Sequence, residues 1–91
     1  MSNRLDGNTA QRISKAAAAI EIEALRAATS YPKFNSGHEG WAVIKEELDE
    51  LWDEVRKYPN ALPSGLRYEA IHVGAMAVRF IADLCEEQAD E

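Results

Sequence analysis

The segment WAVIKEELDELWDEVRK, from Trp41 to Lys57, constrains the fold most, because it combines an acidic composition with apolar residues at helical spacing. At about 100° per residue the apolar side chains fall on one stripe, and most of its six acids lie on the opposite side. This period predicts an amphipathic helix whose stripe faces the core. The stripe consists of Trp41, Ile44, Leu48, Leu51 and Val55.

Turn residues mark the limits of this helix and of a helix before it. Ser36 and Glu39 have the spacing of a capping box, so the acidic helix is expected to begin there and to run to about Tyr58. An earlier helix is expected over residues 9–28, with Asn8 as its N-cap. Its expected apolar face, which is rich in alanine, consists of Ile13, Ala17, Ile20, Ala24 and Ala27.

A third helix is expected over residues 65–88, antiparallel to the second because the linker between them is short. Its core stripe is Leu66, Ala70, Val73, Ala77, Phe80 and Leu84. Its opposite side is also apolar, through Ile71, Gly74, Ala75 and Val78. A helix that is apolar nearly all round is usually buried on more than one side, which predicts a subunit interface. The expected fold class is therefore all-α, a three-helix protomer in an oligomeric bundle.

The length of 91 residues predicts one domain spanning residues 1–91, with a flexible N-terminus over 1–8 and a frayed tail over 88–91. A single domain of this size buries about two thirds of its unfolded surface, so oligomerisation is a common source of further stability. A homo-oligomer, as a dimer or a tetramer, is the expected assembly.

The net charge of −6 makes duplex nucleic acid an improbable partner, since phosphate binding requires a basic surface. Cys85 is the only cysteine, so no intrachain disulfide forms, which agrees with a reducing cytoplasm. The start of the chain lacks the apolar core of a signal peptide. The longest apolar run, residues 16–20, is too short to span a membrane, so a cytoplasmic location is expected.

Acidic residues on two helices form a candidate metal site. Glu50 follows Glu46 by four residues and Glu47 by three, so the three can converge on one point. Glu69 lies at the edge of the third helix's core stripe, where an unpaired carboxylate is costly, and His72 follows it by one turn. Three carboxylates suit a hard divalent cation such as Mg²⁺. The alternative, which stays open, is that these acids are only the solvated face of an ordinary helix.

The spacing of these residues resembles a known pair of motifs. EELDE, residues 46–50, has the spacing E-E-x-x-E, and EAIH, residues 69–72, stands where E-x-x-D would be expected. Two helices with these motifs resemble the all-α nucleoside triphosphate pyrophosphohydrolases of the MazG-like superfamily. The stretch from His38 to Leu84 looks like the small MazG-like proteins that phages and prophages often encode.

The resemblance implies a helical bundle of two or more subunits that hydrolyses a nucleoside triphosphate to the monophosphate and pyrophosphate. It implies Mg²⁺ held by Glu47, Glu50 and Glu69, with Glu46 as a further ligand or as the group that activates water. His72 departs from the motif, because an imidazole replaces the expected aspartate. As a fourth ligand it would favour Mn²⁺ or Zn²⁺ over Mg²⁺.

Several basic and aromatic residues are candidates for contact with the nucleotide. Those assigned to substrate binding are Lys33, Trp41 and Arg67; Arg56 and Arg79 are further candidates for phosphate contact, and Tyr31 and Phe34 for base stacking. For the basic residues the competing interpretation is a surface charge or ion pair, and for Trp41 it is core packing. For Tyr31 and Phe34 it is anchoring of the loop before the second helix.

Two other functions stay open beside the enzyme. One is a non-catalytic MazG-like protein that binds nucleotides or mediates interactions, which the altered position of His72 would explain. The other is a purely structural helical assembly whose acids never meet a metal.

Overall fold

The computed structural model of the chain describes residues 6–87 and contains three helices: α1, Gly7–Ser30; α2, Gly37–Val55; and α3, Pro63–Leu84. No strand occurs within these residues, which confirms the all-α prediction. The expected frayed tail, and the expected flexible N-terminus up to residue 5, lie outside the described residues.

Asp6, and not Asn8, is the N-cap of α1. Its Oδ1 accepts a hydrogen bond of 2.7 Å from the backbone N–H of Thr9. The helix therefore begins at Gly7, two residues before the expected start. An aspartate and an asparagine are equally good caps, so the sequence alone could not choose between them.

Only half of the predicted capping box forms at the start of α2. The Ser36 hydroxyl accepts a hydrogen bond of 3.1 Å from the backbone N–H of Glu39. The Glu39 carboxylate does not return to Ser36; it accepts bonds of 3.2 Å from the backbone and side-chain nitrogens of Asn35. Glu39 thus stabilises the loop before the helix as well as the first turn.

Both α2 and α3 end before their predicted limits. After Val55 the chain tightens into bonds between residues three apart, with the N–H of Lys57 and Tyr58 donating to the carbonyls of Glu54 and Val55. The α-helix thus gives way to a tighter turn three residues before Tyr58, and Pro59 has no N–H with which to continue it. α3 ends at Leu84 because the acids that follow oppose the negative end of the helix dipole.

α3 lies between the other two helices and packs against both, whereas α1 and α2 do not contact each other. Gly40 near the start of α2 lies against Phe80 near the end of α3, and Glu54 lies against Gly65, so these helices are antiparallel as predicted. On the other side, Ile20 of α1 lies over Gly74. The back of α3, predicted to be a subunit interface, is therefore partly covered by α1 of the same chain.

The rotation of α2 differs from the sequence-based prediction. Gly40 is buried, and Val43 and Glu47 are partly buried against α3, while Trp41 and Leu48 of the predicted core stripe are exposed. Because glycine has no side chain, α3 can approach α2 closely at Gly40. The side of α2 that contains Gly40, Val43 and Glu47 therefore faces α3. The pattern of apolar residues could not reveal this, because it does not show which edge of an apolar arc meets the neighbouring helix.

The core is small. Most of α1 before Ala19 is exposed, so only the C-terminal part of its predicted apolar face packs against α3. The buried apolar residues, with the partly buried ones packed against them, are Ala24, Ala27, Phe34, Ala75 and Met76, with Val43, Ile44, Phe80 and Leu84. The radius of gyration is 15.5 Å, compared with about 12 Å for a compact domain of this length. The three helices thus form an open layer with one helix in the middle.

The loop between α1 and α2 is held to the end of α3 by polar contacts. The buried guanidinium of Arg79 donates a 2.8 Å hydrogen bond to the carbonyl of Pro32 and lies 4.7 Å from the centre of the Phe34 ring. Asp83 accepts a 3.0 Å bond from the backbone N–H of Phe34. Arg79 and Phe34, which the sequence offered as nucleotide contacts, therefore anchor this loop.

No helix within residues 6–87 is both long enough and apolar enough to cross a membrane.

We expect Gly40→Ala to destabilise the fold. A Cβ atom at this position would lie 2.5 Å from Cδ2 and 2.9 Å from Cε2 of Phe80, with Phe34 on the other side. Alanine favours a helix over glycine by about 1 kcal/mol, but overpacking costs about 1–3 kcal/mol. The denaturation midpoint in urea, at fixed protein concentration, should fall.

Gly37→Ala is the matched control, because its Cβ would meet only the tip of Phe80 at 3.9 Å. This variant should be neutral or slightly more stable. Equal effects of the two substitutions would contradict the close approach of α2 and α3 at Gly40.

Candidate functional site

Three of the predicted carboxylates come together between α2 and α3. Each of Glu47, Glu50 and Glu69 offers an oxygen, and these oxygens lie within 4.8 Å of one another. The antiparallel packing produces this arrangement, because Glu47 lies between the Gly40 and Glu54 contacts and thus faces the middle of α3. Glu47 and Glu69 are partly buried, while Glu50 is exposed. We refer to these three residues as the acidic cluster.

The pKa of Glu47 is raised to about 7, first by burial and then by the Glu50 carboxyl beside it and the negative charge of Glu69, while His72 lowers it. Near neutral pH Glu47 is therefore partly protonated, whereas an ordinary glutamate is ionised. A protonated Glu47 is neutral, which lowers the negative charge of the acidic cluster.

The acidic cluster fits a divalent cation by the chemistry of its donors. All three residues offer hard carboxylate oxygens, which Mg²⁺ and Mn²⁺ prefer, and two helices hold them from different sides. The oxygens of an octahedral Mg²⁺ site lie about 3–4 Å apart, so a small contraction of the cluster would suffice. A bound cation would displace the proton from Glu47.

His72 lies outside the acidic cluster and contacts α1. Its Nδ1 lies 2.7 Å from the backbone carbonyl of Tyr68, and its Nε2 lies 3.5 Å from Oε2 of Glu23. A carbonyl only accepts, so Nδ1 must carry a hydrogen. Nε2 is therefore the nitrogen that faces Glu23, and His72 does not belong to the group of oxygens that converge in the acidic cluster.

Glu23 is the site residue that the sequence reasoning missed. It pairs with Arg26 through two hydrogen bonds of 2.9 and 2.6 Å, and it faces His72. The bond from Arg26, and then the charge of His72, hold the pKa of Glu23 below its ordinary value. The sequence does contain a sign that Glu23 is not an ordinary surface acid. It lies one turn from Ile20 and from Ala27, at the border of the apolar face of α1.

A cleft of about 570 Å³ separates α1 from α2 beside the acidic cluster. It arises because these two helices do not touch, and its volume falls within the range of ligand sites. Glu46 and Glu47 line the side formed by α2. The side formed by α1, the loop and α3 is lined by aromatic and basic side chains, among them Arg26, Tyr31, Tyr68 and His72.

The three residues predicted to bind substrate lie elsewhere. Trp41 is exposed beside Gly37 and His38, away from the cleft. Arg67 lines a second cavity of about 400 Å³ between α1 and α3, which shares Glu23, Tyr68 and His72 with the cleft. Lys33 is exposed in the loop. The structure thus brings together three of the predicted metal ligands, puts Glu46 in the adjoining cleft, and gathers none of Lys33, Trp41 and Arg67 there.

Comparison with known proteins gives no match: no family model, no curated protein and no solved structure is significantly similar to the chain. The likeness to MazG-like proteins therefore depends on the two motifs alone. What the fold adds is that the three glutamates of those motifs lie together.

We expect the metal-free protein to lose stability as the pH rises from 5 to 8. The pKa of Glu47 is raised from 4.5 to about 7 in the folded chain, so between these values the folded state binds more protons than the unfolded state. The stabilisation is complete below about 4.5 and is lost as the pH passes 7. Urea denaturation in the presence of a chelator measures this.

Glu47→Gln should make this dependence on pH smaller, because glutamine does not titrate. Glu21→Gln, an exposed acid on α1, is the control and should leave the slope unchanged. A slope that is the same in all three proteins would contradict the raised pKa of Glu47.

A divalent cation should raise the melting temperature at pH 7.5. A ligand at a hundred times its Kd stabilises the folded state by about 2.7 kcal/mol, which is roughly 10–20 °C for a chain of this length. Glu50→Gln removes an exposed ligand and should abolish the shift, whereas Asp49→Asn, outside the cluster and paired with Lys45, should retain it. No shift with either Mg²⁺ or Mn²⁺ would contradict a metal site.

Proposed function

We propose that the protein is a metal-dependent nucleotide pyrophosphohydrolase of MazG-like type, which cleaves a (d)NTP to the (d)NMP and pyrophosphate. The observation that carries the proposal is the convergence of Glu47, Glu50 and Glu69 from two helices beside a cleft of suitable volume. A solvated acidic face requires neither the convergence nor the cleft. The proposal includes a cytoplasmic homo-oligomer related to the small phage-type members of that superfamily.

The acidic cluster would hold the cation, Mg²⁺ or Mn²⁺, which when bound offsets the charge of the triphosphate and polarises it. The chain itself supplies three carboxylate oxygens, which two helices hold close together. Glu46 lines the cleft next to Glu47 and is exposed, so it is placed to take a proton from an attacking water. Attack at the α-phosphorus breaks its bond to the bridging oxygen, and pyrophosphate leaves with that oxygen.

The opposite side of the cleft has the groups that a nucleotide requires. Arg26 offers positive charge toward phosphate oxygens, and the imidazole of His72 lies on the same side of the cleft. Tyr31 and Tyr68 offer aromatic surface to a base, and both are exposed. In this proposal these four residues take the role that the sequence analysis gave to Lys33, Trp41 and Arg67. His72 then contacts the substrate and leaves the metal to the three glutamates.

A second candidate is a MazG-like protein that binds nucleotides, or mediates interactions, without cleaving them. The observation in its favour is that His72 turns away from the acidic cluster toward Glu23, which leaves the motif's fourth ligand unfilled. Such a protein would be stabilised by a cation and a nucleotide together, yet would release no product.

Glu50→Gln and Glu69→Gln should each abolish turnover without unfolding the chain, since each removes one charged ligand. The measurement is release of pyrophosphate, resolved from phosphate, from the eight standard NTPs and dNTPs with Mg²⁺ and with Mn²⁺. Asp49→Asn is the matched control, because it removes a charge from the same helix outside the acidic cluster.

Full activity of both glutamine variants would contradict the assignment. A folded wild-type protein that binds the cation but turns over no nucleotide would favour the second candidate.

A further inference from the structure

An apolar stripe on α2 faces away from α3. It consists of Trp41, Leu48, Trp52 and Val55, whose exposed fractions are 64%, 47%, 60% and 41%. We refer to these four residues as the α2 stripe. Around the helix they span about 60°, on the side away from Glu46 and Glu50. Large apolar side chains in a contiguous exposed patch indicate an interaction surface.

The α2 stripe is complementary to itself about Leu48. Trp41 and Val55 lie seven residues on either side of Leu48, and Trp52 and the partly buried Ile44 lie four residues on either side. In an antiparallel pair with twofold symmetry, residue i of one copy meets residue j of the other and j meets i. Such a pair matches each tryptophan with a smaller β-branched side chain, and Leu48 with its own copy.

We propose that the α2 stripe is the contact between two copies of this chain, which pair antiparallel with Leu48 on the twofold axis. The proposed function includes a homo-oligomer, and this inference names the surface that forms it. The two copies bury Trp41 against Val55 and Ile44 against Trp52 across the contact.

The charges beside the α2 stripe balance in this pairing. Lys45 and Asp49 lie on the same flank and form an exposed ion pair of 2.6 Å within one helix. In the antiparallel register Asp49 of one copy lies about 3 Å along the axis from both Lys45 and Asp49 of the other. The flank therefore gathers two lysines and two aspartates, whose charges sum to zero.

The surface area of the chain also agrees with a dimer. The accessible surface is 7262 Å², compared with about 5,300 Å² for a compact monomer of this mass. The excess of roughly 2,000 Å² is more than the 800 Å² or so that each partner contributes to a standard interface. The cleft and the acidic cluster remain open, because they lie on another side of α2.

Single cysteines test the register. In a background of Cys85→Ser, which removes the exposed native thiol, Leu48→Cys should form a disulfide-linked dimer nearly completely on mild oxidation. Trp41→Cys and Val55→Cys should each crosslink poorly alone, since residues 41 of the two copies lie roughly 21 Å apart. A mixture of these two variants should crosslink well.

Other outcomes would overturn the proposal. Efficient crosslinking of Trp41→Cys to itself would indicate a parallel pair. Crosslinking of Ile22→Cys on α1, or of Ile81→Cys on α3, without that of Leu48→Cys would place the contact on another exposed apolar surface.

Sedimentation velocity tests the assembly independently. The wild-type chain should sediment at twice its 10.1 kDa mass, and Leu48→Asp should sediment as a folded monomer with an unchanged helical circular dichroism spectrum. A wild-type protein that is monomeric at 50 μM would overturn the proposal. None of these measurements uses nucleotide or metal, so they can fail while the hydrolase assignment holds, and the converse is also true.

Discussion

The close contact between Gly40 and the ring of Phe80 determines how the rest of the molecule is arranged. It brings α2 near α3 on the side that also contains Val43 and Glu47. A helix is rigid, so the rotation set at one contact is passed along its whole length. This rotation places Glu47 near Glu69 and leaves Trp41 and Leu48 exposed. The acidic cluster and the α2 stripe thus have one common cause.

The charge balance of the site follows from partial burial. A carboxylate removed from water beside two others is unfavourable unless a cation or a proton compensates it. In the metal-free chain a proton bound to Glu47 has this role. Across the cleft, Glu23 is compensated by Arg26 and by His72. The two helices beside the cleft therefore differ. On α1 the charge of Glu23 is compensated by Arg26 of the same helix, whereas on α2 the charge of Glu47 requires a proton or a bound cation.

The open arrangement of the helices has two consequences. Since α1 and α2 do not touch, the space between them forms the cleft, and its residues come from all three helices and the loop. The same openness leaves a small core and much exposed apolar surface. A second copy of the chain would bury part of that surface without closing the cleft.

The sequence by itself determined the three helices and the antiparallel pairing of α2 with α3, which follow from local rules: apolar period, turn residues and a short linker. For the site it offered Glu46 and His72 beside Glu47, Glu50 and Glu69, and only the last three lie together. The predicted ends of the helices were less accurate. At the start of α1 two residues, Asp6 and Asn8, were equally good caps, and α2 and α3 end before their expected limits. Only the tertiary structure decided that Glu23 faces His72, that Arg79 anchors the loop, and that Trp41 lies outside. The physical reason is that periodicity defines an apolar arc, whereas the approach of a neighbouring helix selects which edge of that arc is buried.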